Sequence, residues 1–72
     1  MTEILDRLNR YRIEMGWSIE VMAVKIGIPG SRCRRHLTGR SKPNDYNMKP
    51  YQDYYDANEY NIMKATLSGD TE

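Results

Sequence analysis

The sequence predicts an all-α fold, a small bundle of four to five helices forming one domain over residues 1–67, with a frayed polar tail at 68–72. Two observations carry this. Apolar residues recur at spacings of three and four along the chain, and clusters of glycine, proline and serine cut it into segments of helical length. With 72 residues the chain lies near the lower limit for a fold held by its core alone, so every apolar stripe must be used.

In residues 2–15, Ile4, Leu5, Leu8, Tyr11 and Met15 share one helical face and leave Asp6, Arg7, Arg10 and Glu14 outside. Thr2 is placed to cap this helix, and Glu3 in its first turn suits the helix dipole. Gly16 ends it. Ser18 caps a second helix whose start Glu20 supports, although Val21 stands where a reciprocal capping box needs Glu or Gln. Met22, Ala23 and Ile26 face the core, and Gly27 stops the helix. Ile28, Pro29 and Gly30 then form a tight connection, and a third helix opens at Pro29 or Ser31 and runs through Leu37. Cys33, His36 and Leu37 line one side of it, leaving Ser31, Arg32, Arg34 and Arg35 outward. Thr38 and Gly39 close that helix, and residues 40–45 have the composition of a loop.

Farther on, Pro50 is placed to open a helix in which Tyr51, Tyr55 and Ile62, joined by Tyr54 and Asn58, recur at helical spacing. Tyrosines also suit a strand near Tyr54 to Met63. Helix and dimerisation strand both stay open there, and helix is favoured.

Charge is distributed unevenly. No acid lies between Glu20 and Asp45, and that gap holds Lys25, Arg32, Arg34, Arg35, Arg40 and Lys42, on a chain whose net charge is +1. Residues 1–20 carry −1 and residues 45–72 carry −4. A single basic block between near-neutral and acidic stretches reads as a local footprint for a polyanion.

Other function classes find little support. Cys33 is the single cysteine, so no intramolecular disulfide forms, and no run of cysteines and histidines offers zinc ligands. The longest apolar stretch, Val21 to Val24, is far short of a membrane span, and the N-terminus carries no signal pattern, so a soluble cytoplasmic protein is expected. No nucleophile, base and orienting group share a site, so neither an enzyme nor a small-molecule substrate or cofactor is expected. His36 reads as a packed histidine, Cys33 as a small core residue, and Trp17 as an aromatic at the Gly16 turn. Met15, Met22, Met48 and Met63 read as gap fillers.

The string Gly16-Trp17-Ser18, Met22-Ala23, Ile26-Gly27-Ile28, Ser31, Cys33, Leu37 and Gly39 resembles the helix-turn-helix of the phage Cro and CI repressor class of DNA-binding proteins. The resemblance covers roughly residues 4–42 and implies a lambda-repressor-like fold. It implies that Ala23 is small where the recognition helix crosses close, that Gly27 supplies a left-handed turn, and that Ile28 and Cys33 pin the third helix. Two residues depart from the pattern. Ile19 replaces a glutamine that often contacts phosphate, and Leu37 replaces an acid that often pairs with an arginine on the first helix, leaving Arg12 without that partner.

The function the resemblance implies is a sequence-specific double-stranded DNA-binding transcriptional regulator, a Cro-type repressor of phage or prophage. Ser31, Arg32 and Arg35 are the expected base readers, with Gly30 at the start of their helix. Arg34, Arg40 and Lys42 are expected on phosphates, with Ser18 donating at the second helix's start. Of the tyrosines after residue 45, some are expected at a homodimer interface, assigned to Tyr51, Tyr54, Tyr55 and Ile62, with Val21 and Val24 as the surface they cover. Two recognition helices would then sit roughly 34 Å apart on an inverted repeat. The rival roles are a phage excisionase, a regulator of an anti-CRISPR operon, and an antitoxin-like autoregulator whose acidic tyrosine-rich segment binds a protein.

Overall fold

The computed structural model describes residues 3–67. The expected Thr2 cap and the tail at 68–72 lie outside the described residues. Within them the chain forms α1 (Glu3–Met15), α2 (Ile19–Ile26), α3 (Gly30–Leu37), α4 (Asp45–Ala57) and α5 (Glu59–Leu67), with no strand among the described residues. The segment left open between helix and strand is helical. No described helix is long and apolar enough to cross a membrane.

Helix α1 is the spine. It packs against α3, α4 and α5 and buries Leu5, Leu8 and Tyr11. Its last turn overhangs the core, so Met15, expected on the buried face, is exposed beside Tyr11 and the α5 residue Ala65. The chain reverses at Gly16, whose N–H donates to the Ile13 carbonyl (3.1 Å) while that of Trp17 donates to Arg12 (3.0 Å). Arg12 is not left without partners. Its guanidinium donates to the Trp17 carbonyl and to the Asn9 side chain, both at 3.0 Å, and so ties the turn to α1. Trp17 meets Tyr11 edge-on, with ring centroids 5.4 Å apart, and the Lys25 ammonium lies 4.4 Å from the Trp17 ring centre.

Ser18 caps α2 as expected, its Oγ accepting from the Val21 N–H at 3.2 Å. Met22 and Ala23 are buried, and Ile26 packs at the core edge. The helix stops at Gly27, whose φ of +95° is left-handed backbone that a Cβ would strain. There the Gly27 and Ile28 N–H groups both donate to the Ala23 carbonyl, at 2.7 and 3.0 Å. Only three residues, Gly27, Ile28 and Pro29, separate α2 from α3. Cys33 and His36 of α3 are buried and Leu37 packs beside them, as their spacing predicts.

Helix α4 begins earlier than its proline suggests. Asn44 caps it, accepting from the Asn47 N–H at 2.8 Å, and Asp45 occupies the first turn. Pro50 therefore lies inside the helix rather than at its start, where it removes one backbone donor. A cap together with a first-turn acid outweighs that loss, and burial of Tyr51 and Tyr55 one turn apart offsets it. Asn58 joins α4 to α5 at a single residue: its N–H donates to the Tyr54 and Tyr55 carbonyls at 3.1 Å, and its carbonyl accepts from the Ile62 N–H at 2.9 Å. Helix α5 then returns to α1 and buries Ile62 and Thr66, whose hydroxyl is satisfied by the Ile62 carbonyl at 2.8 Å.

All five helices thus feed one core, of Leu5, Leu8, Tyr11, Met22, Ala23, Cys33, Tyr51, Tyr55 and Ile62. If α5 is integral to it, Ile62→Ala lowers unfolding stability by about 2–5 kcal/mol. Replacing the exposed Ile13 with Ala changes it by less than about 0.5 kcal/mol. Urea titrations followed by circular dichroism compare the two, and equal midpoints would remove α5 from the cooperative unit.

Candidate functional site

The side chains of α3 point in four directions. Cys33 and His36 point inward, so the opposite face is set by the helical period and carries Ser31 and Arg35, both exposed. Arg34 lies on the flank towards α2 and forms an ion pair with Glu20. Arg32, on the other flank, is half-buried and lines a groove of about 650 Å³ between the α2–α3 turn and α4. The three arginines are therefore not equivalent, and of them only Arg35 shares the outermost face with Ser31.

Glu20 changes the charge map further. Its carboxyl is held below the usual range, first by its own backbone N–H at the start of α2 and then by the Arg34 guanidinium. A carboxylate thus occupies the two groups, a helix N-terminus and an arginine, that would otherwise receive an anion. Gly30 sits directly beneath it, with Glu20 Cγ 3.7 Å from where a Cβ would stand. Ser18 spends one lone pair on the Val21 N–H and keeps its hydroxyl proton to donate.

Arg40 and Lys42 lie in the exposed segment joining α3 to α4. Two of that segment's backbone N–H groups, on Arg40 and Ser41, donate to the Arg35 carbonyl at 2.9 and 3.3 Å, holding its first part against the end of α3. Of the six cations in the basic block, Arg34 is paired and Lys25 rests on Trp17, which leaves Arg32, Arg35, Arg40 and Lys42 with no ion pair among the described residues.

Sequence reasoning missed two residues of this surface. Tyr46 and Lys49, in the first two turns of α4, line the groove with Arg32, and Asp53 faces them there. The cap at Asn44 was the available signal, because it starts α4 five residues before Pro50 and turns Tyr46 and Lys49 from loop residues into helix residues.

Beneath the arginines, the Tyr51 hydroxyl and His36 Nδ1 share a buried hydrogen bond of 2.7 Å. Burial holds the His36 ring below its ordinary value, and the charges of Arg35 and Arg32 push it the same way. Burial raises both the Tyr51 hydroxyl and the neighbouring Cys33 thiol, so Cys33 stays a protonated core group.

The dimerisation assignment needs correction. Tyr51 and Ile62 are fully buried, Tyr55 nearly so, and Tyr54 packs at the core edge, because α4 and α5 fold back onto α1 within a single chain. Tyr51, Tyr55 and Ile62 have little or no surface to offer a partner, whereas Tyr54 keeps part of its surface at the groove. The exposed large apolar groups are instead Tyr46 at 82%, Val24 at 79% and Tyr60 at 75%, with Ile13, Met15 and Val21 less so. Among the described residues no group of three or more His, Cys, Asp or Glu is placed to hold a metal ion. No family model, curated protein or solved structure matches the chain.

Two outcomes test the buried cluster. Tyr51→Phe leaves the buried His36 nitrogen without its partner and costs about 1–3 kcal/mol. Because the folded ring is harder to protonate than the unfolded one, stability is complete above the ordinary value of 6.5 and is lost as pH falls below it. His36 is the one histidine of the chain, so the decline measured in urea between pH 7.5 and 5.5 flattens in His36→Gln. A decline of equal slope in both proteins would assign it elsewhere.

Proposed function

We propose that the chain is a sequence-specific double-stranded DNA-binding regulator of transcription, of the Cro repressor type, which acts as a homodimer. The observation that carries this reading is the unpaired state of Arg32, Arg35, Arg40 and Lys42 on and just after a short helix that is anchored from behind by Cys33 and His36. Four unpaired cations on one short stretch repel each other, and a polyanion relieves that repulsion. In this reading α3 enters the major groove. Ser31 and Arg35 meet base edges, and Arg35 is suited to the paired acceptors of guanine.

Arg32 takes a different role from that of a central base reader. From the flank it shares a groove with Tyr46 and Lys49 of α4, so the three support phosphate contact along one strand. Arg40 and Lys42 extend that contact, and the Ser18 hydroxyl donates on the α2 side. Homodimerisation, which supplies the second half-site, draws on the exposed Val21, Val24, Tyr46 and Tyr60. In this reading the regulator acts by occluding a promoter.

Selection of preferred sites from random duplexes tests the reading. The expected product is an inverted repeat whose half-site requires at least one guanine, and Arg35→Ala relaxes that requirement at a cost of about 1–3 kcal/mol. No enrichment over the starting pool would end the proposal. Affinity falls with salt, with a logarithmic slope of about −0.9 for each phosphate contacted. Glu20→Gln releases Arg34 and removes a negative charge from the interface, so it binds more tightly and adds about one unit to that slope. A fully folded Glu20→Gln protein with unchanged affinity and salt slope would place Arg34 and Glu20 outside the contact surface.

A further inference from the structure

The one histidine of the chain sits where no solvent-facing function needs it. His36 is buried on the inner side of α3, one turn after Arg32 and adjacent in sequence to the outward Arg35, so two cations of its own helix oppose a charge on its ring. From α4 it meets only the Tyr51 hydroxyl, at 2.7 Å, with the aromatic rings 5.5 Å apart and nearly perpendicular. No carboxylate is among the groups acting on the ring; Glu20 of α2, Arg12 of α1 and Arg34 act instead on Cys33, behind it.

The hydrogen-bond inventory of this cluster admits two states. Tyr51 has one hydroxyl proton, and its oxygen lies 2.7 Å from His36 Nδ1. With neutral His36 the hydroxyl donates to Nδ1. With a protonated ring Nδ1 donates to the Tyr51 oxygen, and the hydroxyl proton turns away from the ring. Among the described residues no buried side-chain nitrogen or oxygen lacks a partner. What disfavours the second state is charge: a third cation must form beside Arg32 and Arg35 in a poorly hydrated site.

We propose that His36 takes up a proton when duplex DNA covers Arg32 and Arg35, which makes the interface pH-sensitive through a buried residue that never touches the nucleic acid. The inference rests on the DNA-binding reading above. The phosphate met by Arg32 and the negative potential of the duplex around Arg35 offset the two charges that oppose a charged ring, and by linkage whatever makes protonation easier in the complex makes binding tighter at lower pH. Within the window between the free and bound titrations, affinity rises by up to about tenfold per pH unit per subunit.

The test follows the His36 ring by NMR from pH 5 to 8 in the full chain, free and saturated with a mixed-sequence duplex at low salt, alongside duplex affinity across the same range. The expected results are a higher titration midpoint in the complex and an affinity that increases towards acid in the native protein but is level in His36→Gln. Arg35→Gln supplies a control without DNA, because removing that charge raises the midpoint in the free protein. A duplex that binds with normal salt dependence while the midpoint stays fixed would overturn this inference and leave the DNA-binding reading standing. An unmoved midpoint in free Arg35→Gln also overturns it, whether or not any variant binds DNA. Absence of any duplex binding removes both readings together. Should His36→Gln fail to fold, the native-protein titration decides alone.

Discussion

Tyr51 places a phenol with no exposed surface in the centre of the core, deeper than Tyr11 and Tyr55, and the arrangement of the remaining helices depends on how that phenol is satisfied. The ring fills the space among α1, α3 and α4 with no exposed surface, and the hydroxyl must find a partner there or cost a substantial part of a small domain's stability. His36 is that partner. Its position on the inner face of α3 fixes the rotation of α3 about its own axis, because any rotation that frees His36 also strands Tyr51. The outward positions of Ser31 and Arg35 are a consequence of this buried bond. A polar contact in the core thereby sets which residues the surface presents, a specification that apolar packing of Cys33 and Leu37 alone would leave looser.

Much of this was legible in the sequence, and the limits have physical causes. The turns at Gly16 and Gly27, the Ser18 cap and the inner face of α3 could be read because each depends on residues within four or five positions. The start of α4 was misread because Pro50 is a strong local signal that Asn44 and Asp45 outcompete, and the outcome depends on how deeply Tyr51 and Tyr55 become buried. The same gap misplaced the tyrosines. Five within residues 46–60 look excessive for a thin core, yet their spacing puts Tyr51 and Tyr55 inside and Tyr46 and Tyr60 outside, so the count misled where the periodicity did not. Pairing across elements was invisible altogether: nothing in the linear sequence links Glu20 to Arg34 or Arg32 to Tyr46 and Lys49, because each pair is brought together only by tertiary packing.

Relocating those tyrosines changes what a second subunit has to work with. With α4 and α5 spent on covering α1 within one chain, a homodimer would draw on separate exposed groups instead of on an unfinished core. Val21 and Val24 lie one turn apart on α2, whereas Tyr46 and Tyr60 lie on different helices, so the apolar surface is dispersed. Dispersed apolar groups favour association that depends on concentration or on a shared template rather than permanent dimers, which bury large continuous apolar areas. In the proposed function the template is the DNA itself, since two subunits on neighbouring half-sites need only a modest contact to bind together.

The charge arrangement imposes a balance of its own. Concentrating six cations between Lys25 and Lys42 strengthens attraction for a polyanion but destabilises the free fold, since like charges on a short helix and its exit segment repel. The fold relieves part of this by setting Glu20 against Arg34 and Lys25 over Trp17, and leaves the rest unrelieved. Glu20 therefore acts in opposite senses. It steadies the junction of α2 and α3 in the free protein, and in a complex it subtracts from the positive field at the point where the start of α2 would meet a phosphate. An interface built from uniformly unpaired cations would grip any duplex through charge alone. In the proposed complex, holding one arginine on an internal acid would limit that unspecific attraction, so that the exposed pair Ser31 and Arg35 would contribute a larger share of the binding free energy and discrimination between sequences would rise accordingly.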